Sequence, residues 1–266
     1  MGAPVYPAET PGLFRWTSST LNDLLKCSTL YHLKRQFRHR ATTVRQAAGS
    51  GLSKGALVDN LSKMAQGEGA RTVDIVDACV EEYKSEIENS EVSDTPLEQQ
   101  QGIDLAAKFG RLYAKEVSPR VKNVVAAEEA LLATMGDIQL AGTPDVITTR
   151  GVEDYKTGGS LWTQAKVDQS LQLSMYSVLY QAHFKRPAEL LTIHSIKNHS
   201  NRAKTSVFYT TRDQADIDSF YQVLVQAKRL VDERIMLPAP AGAWWCTKRW
   251  CEMWNRCPYQ GGKVKK

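Results

Sequence analysis

Two short runs rich in β-branched residues, at 138–148 and 152–157, constrain the fold of this chain more than any other feature. The short polar stretch between them predicts a β-hairpin. Alternate side chains of a strand project from the same face, so Asp154 and Lys156 share one face of this hairpin. Asp145 lies in the preceding strand, within cross-strand reach of both.

The turn of the hairpin decides which pair of side chains lies directly opposite. A two-residue turn at 149–150 would put Asp145 opposite Asp154, whereas a turn at 150–151 would put it opposite Lys156. Either register gathers the three side chains on one face. A three-residue turn would separate them.

Two carboxylates and an ammonium group on one face suit the hydrolysis of a phosphodiester. Carboxylate oxygens are the hard ligands that Mg²⁺ and Mn²⁺ prefer. Such a metal binds the scissile phosphate and lowers the pKa of a bound water, while Lys156 orients that water or stabilises the developing charge. The competing interpretation is an ion-pair ladder on the protein surface.

The order of elements predicts one α/β domain over residues 1–266, with a helical elaboration first. We expect a helical part at 17–120, a sheet with its helix at 121–210, and a helix followed by a cysteine-rich segment at 211–266. Cys79 falls on the apolar stripe of a helix that begins near residue 72, so we expect it in the core.

Apolar periodicity also predicts the bounds of several elements. Helices are expected at 18–38 and 163–184, and single strands at 122–134 and 138–148. These bounds determine which polar side chains can meet.

Charge and cysteine content limit the functional classes. The net charge of +5 and pI of about 8.9 are compatible with a polyanionic partner, although a basic run at 34–45 is also typical of a solvated face. No stretch approaches the roughly 20 apolar residues of a membrane span, and no secretory signal is evident. Five cysteines, an odd number, favour a reducing compartment. We therefore expect an intracellular, cytoplasmic protein without membrane partners.

The helix after the hairpin extends the pattern. Gln172 and Tyr176 are four residues apart and share a helix face. Pro144-Asp145, Asp154-Tyr-Lys156 and Gln172-xxx-Tyr176, in this order, resemble the PD-(D/E)XK nuclease superfamily, above all its RecB-like exonuclease branch, which includes CRISPR-associated and AddB-like enzymes. The resemblance is best over residues 121–197.

The resemblance implies a restriction-endonuclease-like core, a small mixed sheet flanked by helices. It implies that Asp145 and Asp154 are ligands of Mg²⁺ or Mn²⁺, that Lys156 is the catalytic lysine, and that Gln172 and Tyr176 contact the substrate strand.

An earlier helix of the family often carries Gly-x-x-x-His, with the histidine as a further metal ligand. The counterpart here, from Gly55, ends in Asp59. Asp59 is therefore a candidate metal ligand, with an exposed helix residue as the alternative.

Three cysteines lie close together, as Cys246-x4-Cys251-x5-Cys257, and need a distant fourth to complete a four-ligand site. Cys27 is the candidate. One N-terminal and three C-terminal cysteines resemble the [4Fe–4S] clasp of the RecB-like branch, although the first spacing there is CxxC. Zinc and unliganded buried thiols are the alternatives.

The sequence thus predicts a metal-dependent DNA exonuclease that acts on single-stranded ends or overhangs. The alternatives are a non-catalytic, cluster-bearing nucleic-acid-binding or assembly subunit and a site-limited endonuclease. No GxxxxGK[ST] motif is present, so unwinding would need a helicase, recombination or CRISPR partner protein. Repair, recombination, phage replication and spacer processing all remain open as pathways.

Overall fold

The computed structural model describes residues 14–37, 41–57, 60–61, 71–92, 94–197 and 204–263. Helices dominate this part of the chain up to residue 120, and most of the strands follow. The fold is mixed α/β, and the predicted fold class is confirmed.

The helix predicted at 18–38 is two helices, α1 (Ser18–Lys26) and α2 (Ser28–Phe37). They are separated at Cys27, whose backbone is extended (φ −169°, ψ 106°). The Cys27 Sγ accepts a hydrogen bond from the backbone N–H of Leu30 at 3.4 Å, and so provides one of the acceptors that the start of a helix needs. The prediction missed this break because leucines keep a helical spacing on either side of it.

The helical part continues with α3 (Val44–Ser50), α4 (Thr72–Glu88) and α5 (Pro96–Leu112). Wider π-helical turns extend α3 over Gly51–Leu57 and α5 over Tyr113–Val117. Cys79 on α4 is fully buried, so its prediction as a core residue is confirmed.

Ten strands lie in the described residues: β1 (Phe14–Trp16), β2 (Ala41–Thr42), β3 (Glu91–Val92), β4 (Val124–Ala127), β5 (Leu131–Met135), β6 (Ile138–Gly142), β7 (Val146–Thr148), β8 (Gly151–Gly158), β9 (Leu190–Lys197) and β10 (Lys204–Thr210). The largest sheet has the order β10-β9-β8-β7-β4, with β8 and β9 parallel and the other neighbours antiparallel. A second sheet has the order β1-β6-β5, and β2 pairs with β3.

Each of the two strands predicted before the hairpin turn is in fact a pair of strands. The run 122–134 is interrupted at Glu128, whose φ of 51° is left-handed, and the run 138–148 is interrupted at residues 143–145. At both interruptions the chain crosses between sheets: β4 and β7 belong to the five-stranded sheet, β5 and β6 to the three-stranded one. The crossings leave polar side chains between the sheets instead of in a continuous ladder.

The five-stranded sheet is covered on both faces. Ile147, Val152 and Ile193 pack into one apolar core with the helices α7 (Leu171–Phe184) and α8 (Gln214–Asp232). Val146, Tyr155 and Ile196 face the opposite way and pack against α3, α4 and α5. The alternation along β7 and β8 therefore assigns each polar side chain of the hairpin to one of two layers.

The helix predicted at 163–184 is also divided, into α6 (Gln164–Asp168) and α7, and the Ser170 side chain accepts from the Leu173 N–H at the start of α7. After α8, residues 233–263 form turns and two short 3₁₀ segments. None of the helices in the described ranges is long and apolar enough to cross a membrane.

Candidate functional site

The hairpin closes in the first of the two predicted registers. Thr148 pairs with Gly151 and Val146 with Glu153, so the turn consists of residues 149 and 150. The same register, continued by one residue, puts Asp145 opposite Asp154. The Thr148 hydroxyl oxygen accepts hydrogen bonds from the N–H groups of residues 150 and 151, both at 3.2 Å. Gly151 is required by packing, because a Cβ there would lie 1.9 Å from the carbonyl oxygen of Leu190.

Asp154 is the most enclosed group of the site, with 2 % of its surface exposed. Its Oδ1 accepts a hydrogen bond from Gln172 Nε2 at 3.0 Å. Its Oδ2 lies 2.7 Å from Lys156 Nζ in an ion pair but has no hydrogen-bond donor of suitable geometry among the described residues. A buried carboxylate group needs positive charge beside it, and here the Lys156 ammonium group supplies that charge.

Asp145 lies beside Asp154 and is held by the main chain. Its Oδ2 accepts a hydrogen bond from the Tyr155 N–H at 2.6 Å. Burial, and then the charges of Asp154 and Glu128, raise the pKa of Asp145 well above its usual value, against the opposing effect of Lys156. Without a counterion, two carboxylates so close to each other repel.

Lys156 supplies the positive charge within this group. Burial lowers the pKa of Lys156, but the neighbouring charges of Asp154 and Asp145 outweigh burial and raise it above its usual value. The side chain is therefore an ammonium ion at neutral pH and not a free amine.

Gln172 and Tyr176 meet the hairpin from α7, as their four-residue spacing predicts. Gln172 Nε2 donates both to Asp154 Oδ1 and to the Tyr176 hydroxyl, the latter at 2.9 Å. The Tyr176 hydroxyl in turn donates to the Thr143 carbonyl at 3.1 Å, and the ring is 4 % exposed. Both side chains therefore orient Asp154 and the segment before Asp145.

Glu128 is a third carboxylate near this pair, and it was not among the predicted site residues. It follows β4 at the left-handed break, where its N–H donates to the Asp145 carbonyl at 3.1 Å. Its charge contributes to the raised pKa of both Asp145 and Tyr176, and this places it within electrostatic reach of the pair. Two adjacent glutamates in an otherwise apolar run were the available sequence signal.

Lys166, which packs on an aromatic ring, is a second cation near Lys156. The Lys166 Nζ lies 4.1 Å from the centre of the Trp162 ring. Burial and then the charge of Lys156 lower the pKa of Lys166, so the two lysines are within electrostatic reach of each other. The sequence analysis did not select either Trp162 or Lys166.

The opposite face of β8 carries a supporting polar layer. Glu153 Oε2 lies 2.8 Å from His194 Nε2 on β9, and the Tyr155 and His194 rings stack with centroids 4.7 Å apart. These contacts join the two central strands behind Asp154 and Lys156, and this favours a fixed geometry for the site.

Asp145 and Asp154 place two carboxylates, the hard oxygen ligands that a divalent cation prefers, beside each other. Within the ranges described, no group of three or more His, Cys, Asp or Glu side chains is arranged so that it could hold a metal ion, and Glu128 does not complete such a group. The other predicted ligand, Asp59, lies outside the described residues.

The four cysteines outside the core are neighbours although they are distant in sequence. Burial, followed by the proximity of Cys246, Cys257 and Cys27, raises the pKa of the Cys251 thiol. All four thiols are half-buried and form no disulfide, and Cys27, Cys251 and Cys257 pack beside Leu30, Leu33 and Met253. Among the described residues they do not form a group that could hold a metal ion.

A mixed sheet with helices on both faces, and carboxylates and a lysine at its central hairpin, defines the restriction-endonuclease-like class of α/β proteins. The chain belongs to the PD-(D/E)XK nuclease superfamily, whose family model matches residues 15–258. The resemblance inferred from the three motifs is thereby confirmed at the level of the superfamily.

A solved structure agrees with this fold. A protein from Eubacterium rectale named "Putative exonuclease" has a TM-score of 0.57 at 10 % sequence identity, over 86 % of each chain. A second structure, SSO0001, is too dissimilar to support an argument. Its TM-score is 0.33 at 18 % identity, and the match covers 77 % of this chain and 95 % of SSO0001. No curated protein matches the chain.

Proposed function

We propose that this nuclease is a metal-dependent DNA exonuclease that hydrolyses phosphodiester bonds in single-stranded DNA or overhangs. The observation that carries the proposal is the grouping of Asp145, Asp154 and Lys156, in which a carboxylate that is 2 % exposed lies beside a second carboxylate and 2.7 Å from an ammonium group. The name of the Eubacterium rectale protein favours the exonuclease mode.

Asp145 and Asp154 would hold Mg²⁺ or Mn²⁺, and the negative charge of Glu128, within electrostatic reach of Asp145, would favour the cation. When bound, the metal lowers the pKa of a water molecule and offsets charge on the scissile phosphate. Gln172 keeps Asp154 in one orientation through Oδ1, while Oδ2 pairs with Lys156. Asp59 is a further proposed ligand.

Lys156 acts in this proposal as a charged donor. Its ammonium group can donate to the attacking water or to a phosphoryl oxygen. Its ion pair with Asp154 fixes its position before the substrate arrives. Gln172, which is half-buried, is also proposed to contact the substrate strand, whereas Tyr176 is 4 % exposed and would act through its hydrogen bond with Gln172.

The cysteines are proposed to hold a [4Fe–4S] cluster, with zinc as the alternative. Four thiolates are the usual ligands of both. Iron and zinc analysis of anaerobically purified protein tests this proposal. A brown preparation with about four irons per chain supports the cluster, one zinc per chain supports the alternative, and protein free of both metals refutes the two together.

The biological setting belongs to the same proposal. An intracellular nuclease without a helicase motif would act with a helicase, recombination or CRISPR partner that supplies unpaired DNA. Repair, recombination, phage replication and spacer processing would all provide such a substrate.

The test compares wild type with Lys156→Ala on end-labelled linear and on circular single-stranded DNA, with Mg²⁺ or Mn²⁺. Lys228→Ala is the matched control, because both lysines are about a quarter exposed and each is paired with a carboxylate, at 2.7 and 2.6 Å. Degradation of linear DNA alone, lost only in Lys156→Ala, is the expected result.

The other outcomes select the alternatives. Cleavage of circular DNA at defined positions would indicate a site-limited endonuclease. Binding without cleavage under either metal would indicate a non-catalytic nucleic-acid-binding or assembly subunit. Equal activity of wild type and Lys156→Ala would contradict the site itself.

A further inference from the structure

The turn segment that carries the C-terminal cysteines also exposes two tryptophans. Trp244 is 67 % exposed and Trp250 is 55 % exposed. Tryptophan is buried to a large extent in most folded proteins, and exposed apolar groups of this size mark surfaces that bind something. The carboxylate site does not use these rings.

The two rings are held in place before any ligand binds. Hydrogen bonds from the Cys246 N–H to the Ala243 carbonyl at 2.9 Å and from the Trp250 N–H to the Thr247 carbonyl at 3.1 Å close successive turns. The Trp244 ring meets the Trp250 ring edge to face, with centroids 5.9 Å apart and planes at 85°. Rigid aromatic groups lose little conformational entropy on binding, so their contact area contributes efficiently to affinity.

Cations surround the rings. The Arg249 guanidinium lies 5.2 Å from the centre of the Trp250 ring. Lys26 lies 5.7 Å from the centre of Trp245, which itself packs edge to face on Trp244. Lys248, between the two exposed tryptophans in sequence, is exposed as well.

Two acidic groups lie near these cations. Glu252, two residues after Trp250, pairs with Lys34 at 3.0 Å. Arg249 contributes to the lowered pKa of Glu98, after the hydrogen bonds from Thr95, so this glutamate is within electrostatic reach of the surface. Lys26, Lys248 and Arg249 outnumber these two acids. A ligand that suits the surface must combine flat apolar groups with negative charge.

We propose that Trp244 and Trp250, together with Lys248 and Arg249, form a stacking surface for the unpaired bases of single-stranded DNA. Bases stack on exposed aromatic rings while neighbouring cations bind the backbone phosphates. Duplex DNA keeps its base faces stacked on each other and offers only its phosphates. The inference rests on DNA as the substrate of the proposed function, and it supplies a physical basis for a preference for single strands.

The test uses full-length protein in EDTA, so that binding is measured without cleavage. Oligo(dT) is titrated while tryptophan fluorescence is followed, in a Trp162→Phe background because Trp162 packs on Lys166, which is within electrostatic reach of Lys156. Stacking should quench the emission of Trp244 and Trp250 and protect them from acrylamide. A blunt duplex of equal length should do neither.

Substitution of the two rings separates stacking from general apolar contact. The double variant Trp244→Ala with Trp250→Ala should bind oligo(dT) about ten-fold to a hundred-fold more weakly, the range expected when one or two stacked bases are lost. Phenylalanine at both positions should retain most of the affinity, whereas leucine should behave like alanine. Tyr209→Ala, at an aromatic residue 56 % exposed elsewhere, should change nothing.

Three results would overturn the inference: unchanged oligo(dT) affinity in the alanine variant, duplex binding lost in parallel, or full retention by leucine. Acrylamide protection in the Trp162→Phe protein tests the inference even if the alanine variant misfolds. The proposed function fails separately: protein that binds oligo(dT) through these rings but never cleaves DNA contradicts the nuclease assignment alone. Protein that cleaves but fails the stacking test contradicts this inference alone.

Discussion

Gln172 donates one hydrogen bond to a buried carboxylate and another to a buried hydroxyl, at 3.0 and 2.9 Å. Gln172→Ala removes both. A hydrogen bond to a charged group contributes about 1.5–3 kcal/mol and a neutral one about 0.5–1.5 kcal/mol. Gln172 is only half-buried, so water replaces part of each bond, and the Tyr176 hydroxyl still donates to Thr143. The expected loss of stability is therefore about 2 kcal/mol, at the low end of the sum.

The loss of activity should exceed what this instability explains. Without its donor at Oδ1, Asp154 can rotate, and groups that orient a metal ligand are worth about ten-fold to a hundred-fold in metal affinity or activity. Denaturant unfolding in EDTA measures the loss of stability, and exonuclease rates over a range of Mg²⁺ concentrations measure the loss of activity.

Gln181→Ala is the matched control, because this residue is an exposed glutamine on the same helix. It should leave stability and rate unchanged. Gln172→Glu should be worse than Gln172→Ala, since it places a second negative charge beside Asp154. A Gln172→Ala protein with the stability, the rate and the Mg²⁺ dependence of wild type would refute the role of Gln172 in orienting Asp154.

Further predictions concern charge and backbone at the hairpin. Because the folded-state pKa of Asp145 is raised, the metal-free wild-type protein should lose stability as pH rises through that pKa. Asp145→Asn cannot ionise, so its stability should match that of wild type in acid and exceed it at higher pH. Unfolding in EDTA that shows no such pH-dependent difference in stability would contradict this prediction. Glu128→Gln should raise the Mg²⁺ concentration for half-maximal rate, whereas Glu129→Gln should not; equal metal titrations would exclude a role for Glu128. Gly151→Ala should lower the free energy of unfolding by more than about 2 kcal/mol, because the added Cβ meets the Leu190 carbonyl. Gly159→Ala, which has open space around it, should lower it by less than about 1 kcal/mol. Denaturant unfolding measures both changes.

Local sequence was sufficient wherever a contact lies within one supersecondary unit. The alternation of β8 and the short turn predicted that Asp154 and Lys156 share a face, and the structure selects the 149–150 turn from the two registers considered. The helical spacing of Gln172 and Tyr176 likewise predicted their common face. Each inference needed only the period of one element or the register of one hairpin.

Interruptions of single residues were not predictable in this way. Glu128 has a left-handed backbone inside an apolar run, and Cys27 is extended between two helical stretches. Both deviations are stabilised by contacts distant in sequence: the Glu128 N–H donates to the Asp145 carbonyl, and the Cys27 thiol lies 3.6 Å from the Leu237 carbonyl. Helix and strand propensities are judged over several residues and do not detect a single interrupted position. The prediction therefore missed Glu128, the third carboxylate near the site.

The sequence alone determined the α/β class, the carboxylate hairpin with its lysine and the superfamily, because these are encoded by short periodic patterns and spaced motifs. Tertiary structure alone decided which oxygen of Asp154 lacks a donor, that Glu128 joins the site, and that Cys27 lies beside thiols more than 200 residues away. These properties depend on packing between elements, and the energies that set them arise only when distant segments exclude water together.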